Sequence, residues 1–229
     1  IAKSITLSAT DTDNDVLTYT VVSQPSDGTL YVERIRSGTA SNVTYRPNAG
    51  FSGNDSFTFK ANDGKADSVA ATVSIVVINI PDPNLRKALE AVLQINAGEE
   101  ITKEDLAGLT ILMDEHNLSS LNIAELTGLD PCLNLTIVHL ADNEISDLSP
   151  LSKLTKLENL VLENNQIIDL NPISELSNLT DLLLETNKIT DISPLSNLTN
   201  LARLYLRVNQ IKNIGPLANL VNLIKLRLD

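Results

Sequence analysis

The chain has 229 residues, a formal net charge of −12, 42% hydrophobic and 20% charged residues, and one cysteine. The excess of acid argues against a binder of nucleic-acid backbone or of anionic membrane, both of which draw their affinity from Lys and Arg. The lone Cys132 excludes an internal disulfide, and no apolar run is long enough to insert in a membrane.

Residues 1–79 alternate apolar and polar with period two: Ile1 to Ala9, then Leu17, Tyr19 and Val21, then Val43 and Tyr45, then Phe57 and Phe59, then Val73, Ile75 and Val77. Turn-rich clusters separate these runs: Asp11 to Asp15, Gln24 to Gly28, Ser37 to Asn42, Pro47 to Asn54 and Asn62 to Lys65. Short strands with one buried face, punctuated at close intervals, predict an all-β sandwich.

The period changes at Ile80. Asp82 and Pro83 suit the N-cap and first turn of a helix, and Leu85, Ala88, Leu89, Val92 and Leu93 then form one apolar face. Asn96 to Gly98 is the expected stop. Thr102 with Asp105 predicts a capping box opening a second short helix. Residues 80–108 are therefore read as a small helical cap.

Residues 109–229 repeat. Asn143, Asn165, Asn187 and Asn209 are spaced by 22, as are Pro150, Pro172, Pro194 and Pro216. An earlier, degenerate turn fits the same frame, with Met113 and Leu118 falling 22 before Leu135 and Leu140, and His116 in an aliphatic position. A single unit is too small to bury its own apolar face, so units of this kind stack, and their stability is collective. In each unit a Leu-x-Leu pair such as Leu160 and Leu162 points inward from a short strand, and strands of successive units pair in parallel. The repeated Asn turns the chain out of the strand and satisfies backbone groups there. No cap is visible after Leu228, and both termini fall within alternating strands, so the chain is expected to be a piece of a longer protein.

The 22-residue unit, with its Asn-x-Ile-x-Asp-Ile-x-Pro-Leu return at Asn187 to Leu195, resembles the leucine-rich repeats of bacterial internalin-like surface proteins. The segment Ile80 to Arg86 resembles the cap that precedes such repeats. This likeness implies a right-handed α/β solenoid with its parallel strands on a concave face that binds another protein. Ala9 to Asp15, Pro47 to Gly53 and Asp55 to Gly64 resemble the cadherin-like, immunoglobulin-like modules of large bacterial adhesins, which serve as stalks or spacers. Together the two likenesses imply an exported, extracellular bacterial protein.

The outward residues of the strands are free of core duty. They comprise Ile137, His139, Ala141 and Asp142; Asn159, Val161, Glu163 and Asn164; Asp181, Leu183, Glu185 and Thr186; Arg203, Tyr205, Arg207 and Val208; and Lys225 and Arg227. The column His139, Val161, Leu183, Tyr205, Arg227 is partly apolar, which is unusual on an open face. The acids Glu163, Asp181 and Glu185 give way to Arg203, Arg207, Lys225 and Arg227. A partner of opposite polarity would be oriented by that gradient. The alternative is lateral pairing of Asp181 with Arg203 and of Glu185 with Arg207.

Asp11, Asp13 and Asp15 present carboxylates at alternate positions, the oxygen-rich pattern a calcium ion takes; acidic turns are the ordinary alternative. Calcium is the one cofactor for which the sequence offers ligands. His116, His139 and Cys132 supply no catalytic constellation, and Cys132 suits a small buried position. Six Asn-x-Ser/Thr triplets, at Asn42, Asn54, Asn117, Asn134, Asn178 and Asn197, owe half their number to the repeat and are weak glycosylation signals. The expected function is adhesion or recognition of a protein partner, without enzymatic activity. The alternatives are a structural spacer of a larger exported enzyme or adhesin, and carbohydrate binding by the sandwich, which the scarcity of aromatics opposes.

Overall fold

A computed structural model describes residues 2–32, 40–49, 51–97, 101–113 and 118–228. The expectations placed on Ile1, Ser37, Gly98, His116 and Asn117 lie outside the described residues. The chain divides into two compact units, 1–79 and 80–229.

In the first unit, β1 (Lys3–Ser8), β4 (Ala40–Pro47) and β3 (Gly28–Val32) form one antiparallel sheet, while β2 (Thr18–Ser23), β5 (Gly53–Asn62) and β6 (Ala71–Val77) form the other. Their inner faces share a core of Leu7, Leu17, Tyr19, Leu30, Val43, Tyr45, Phe57, Phe59, Ala61 and Ile75, so the alternating apolar set falls on the buried side. Strand β3 was not anticipated. Leu30 alone faces the core while Tyr31 and Val32 are exposed, so no alternation betrays it.

Asp55 on β5 organises the polar interior. It is buried, and its carboxylate accepts hydrogen bonds from the Ser26, Asp27 and Ser56 backbone N–H groups at 2.8–3.0 Å and from the Tyr45 hydroxyl at 2.8 Å. Burial pushes this carboxyl up, but the Tyr45 hydroxyl and the three backbone donors outweigh it and hold the group below its ordinary value. The same burial, reinforced by Asp55, drives the Tyr45 phenol well above its ordinary value. Gly28 is required where the Tyr45 ring passes, since a Cβ there would lie 2.3 Å from it.

The second unit opens with α1 (Pro83–Leu93), capped by the Asp82 side chain, which accepts from the Asn84 and Leu85 N–H groups. The helix ends earlier than Asn96: Gln94 adopts φ 57° and Ile95 donates to Glu90, a left-handed C-cap. The capping box of Thr102 and Asp105 opens α2 (Lys103–Gly108). Six short strands follow in one parallel sheet among the described residues: β7 (Ile111–Leu112), β8 (Ile137–His139), β9 (Asn159–Val161), β10 (Asp181–Leu183), β11 (Arg203–Tyr205) and β12 (Lys225–Arg227). Proline-initiated 3-10 turns begin each return, at Ser149, Asn171, Ser193 and Gly215. Each has its first N–H accepted by Asp147, Asp169, Asp191 or Asn213.

Leu135, Val138, Leu140, Ile145, Leu148, Leu151 and Leu154 of one turn, and their counterparts in the next two, are fully buried. Leu226 and Leu228, at the matching positions of the last described turn, are exposed.

The first turn corrects one expectation. Leu112 pairs with Val138, an offset of 26 rather than 22, so Leu109 and not Met113 corresponds to Leu135, and Leu112 takes the place expected of His116. Four additional residues precede Leu118, after which the spacing of 22 holds. Leu121 stands where a ladder Asn would fall. There the cap takes over: Asp82 accepts from the Ala124 and Glu125 N–H groups, and the Asn84 amide donates to the Asn122 carbonyl. Burial pushes Asp82 up, but its four backbone donors prevail and its carboxyl lies below the ordinary value.

Candidate protein-binding face

The asparagines spaced by 22 line up. In each, the amide oxygen accepts from the isoleucine N–H of the preceding turn: Ile123 to Asn143, Ile145 to Asn165, Ile167 to Asn187 and Ile189 to Asn209, all at 2.9–3.0 Å. Each amide nitrogen donates backward as well, to Leu118, Leu140, Leu162 and Leu184 carbonyls in turn, at 2.9–3.1 Å. Every Asn thus joins two turns and closes its own.

A second set went unread in the sequence. Asn178, Asn200 and Asn222 donate to the Thr155, Ser177 and Thr199 carbonyls of the preceding turn at 2.7–2.8 Å, and Asn134 donates to Ala107 in the cap. Their spacing was the available signal, hidden by Lys156 at the second position. Asn134 and Asn178 are two of the Asn-x-Thr triplets, and these hydrogen bonds give their amides a structural role.

With the inward side committed to Val138, Leu160, Leu182 and Leu204, the other side of the sheet presents three aligned columns. The register sets Ile137, Asn159, Asp181, Arg203 and Lys225 side by side, and next to them His139, Val161, Leu183, Tyr205 and Arg227. Ala141, Glu163, Glu185 and Arg207 follow beyond the strands. Val161, Leu183 and Tyr205 are half-buried rather than bare, so the apolar column is narrower than the sequence implied.

Charged and polar side chains pair across the neighbouring strands. Arg203 makes a two-pronged ion pair with Asp181, its Nη2 2.9 Å from the carboxylate, and the guanidinium holds Asp181 below the usual carboxylate value. His139 Nε2 lies 3.1 Å from Asn159 Oδ1. Lateral pairing therefore holds for Asp181, and Glu185 lies 3.9 Å from Arg227, two strands away. Arg227 can span two turns because its guanidinium lies on the Tyr205 ring, 4.1 Å from the centroid. Burial, then the adjoining Glu185 carboxyl and Asp142, push the Glu163 carboxyl up, with Arg227 opposing them in part.

The other candidates are placed as follows. The Asp11 carboxylate accepts from the Asp13 and Asp15 backbone N–H groups, and Asp15 pairs with the Lys65 ammonium at 2.8 Å. Among the described residues no group of three or more His, Cys, Asp and Glu side chains is arranged to hold a metal. Cys132 is buried, and that burial, with the Asp130 charge, pushes its thiol up to about 12, the reverse of what a nucleophile needs. No helix among the described residues is long and apolar enough to cross a membrane.

Residues 2–76 match the bacterial Ig domain, and residues 133–175 and 177–219 each match the paired leucine-rich-repeat model. An internalin of Listeria monocytogenes, InlF, is similar at 34% identity with a TM-score of 0.60, over 65% of this chain and 43% of that one. The functional domain of InlJ from the same organism, which includes a cysteine ladder, is similar at 27% identity and a TM-score of 0.51, over 64% of this chain and 36% of that one. The chain thus spans less than half the length of either. No curated protein matches it.

Proposed function

Because the chain joins a bacterial immunoglobulin-like domain to leucine-rich repeats of the internalin-like kind, we propose that it is an extracellular recognition module of a bacterial surface or secreted protein. It binds a protein partner non-covalently on the outward face of β8–β12, and the sandwich serves as a spacer. The single observation carrying this reading is the split between the two sides of the sheet. One side is saturated with core leucines, while the other aligns Val161, Leu183 and Tyr205 among ordered charges. Half-buried aliphatic and aromatic side chains ringed by charge are the composition of an interface core with a polar rim. Contact there needs no catalytic group; His139 faces the Asn159 amide and Cys132 is buried.

Pull-down with the full chain tests this. A partner retained by the unaltered chain is expected to be lost with the double variant Leu183→Glu, Tyr205→Ala. It is expected to persist with Asp191→Ala on the return side. Retention by the double variant would remove the sheet face from the account.

A further inference from the structure

We draw no further inference here: the strongest candidate, the acidic cluster of Asp142, Glu163 and Glu185 beside the half-buried apolar column of the repeat sheet, belongs to the face already described, and no second observation there points to a ligand.

Discussion

The two units solve the same problem, satisfying buried backbone polar groups, by opposite means. In the sandwich, one carboxylate gathers three backbone N–H groups and a phenol: Asp55 occurs once, and nothing repeats its geometry. In the repeats, an uncharged amide performs the task turn by turn, from Asn143 to Asn209. A concentrated network makes stability sensitive to one residue and to acid. A distributed one spreads the loss and does not titrate.

That contrast is open to direct attack. The largest effect is expected from Asp55→Ala, which strands three donors and a hydroxyl in the core and costs about 3–5 kcal/mol. Hydrogen exchange would show the loss across residues 2–76 while residues 133–219 keep their protection. Asn165→Ala is expected to cost about 2–3 kcal/mol, and Asn209→Ala, half-buried nearer the end of the described stack, about 1 kcal/mol. Asn209 makes the same hydrogen bonds as Asn165 and differs in burial, so equal losses at the two positions in chemical denaturation would contradict a cost set by burial.

Acid should separate the units next. The Asp55 carboxyl lies below its unfolded value, so its contribution is complete at neutral pH and is lost as pH falls from about 5 through the carboxylate range. Glu163 is displaced upward, so it opposes folding at neutral pH and that opposition is relieved on acidification. Asp82 gives the repeats one acid-sensitive joint of their own, at the cap. The sandwich is therefore expected to lose hydrogen-exchange protection before the repeats as pH is lowered.

The smallest effects lie at the surface. Asp181→Ala is expected to cost about 0.5–1 kcal/mol, because Arg203 remains half-exposed and the pair is screened. Calcium is expected to leave the melting temperature unchanged, since Asp11 caps its own turn and Asp15 holds Lys65. A rise of several degrees would mean that the loop rearranges around the ion.

What could be read from the sequence follows the same division. Periodic features were legible because each turn repeats the statement: the ladder, the Leu-x-Leu strands and the outward columns all stand where the spacing of 22 put them. The unperiodic ones were not. Strand β3 carries a single core residue, Leu30, and Asp55 carries no local signature of its five hydrogen bonds. Met113 and His116 were placed by extending the period into a turn that departs from it by four residues. On the candidate face the columns were legible because backbone register sets them. The partner of Glu185 was not, because it depends on where the Arg227 side chain comes to rest over Tyr205.

The most direct test is footprinting of the full chain with and without its captured partner, by hydrogen exchange and hydroxyl-radical labelling. The account predicts new protection at residues 159–163, 181–185 and 203–208, with the sandwich unchanged. Protection confined to residues 2–76 would contradict it.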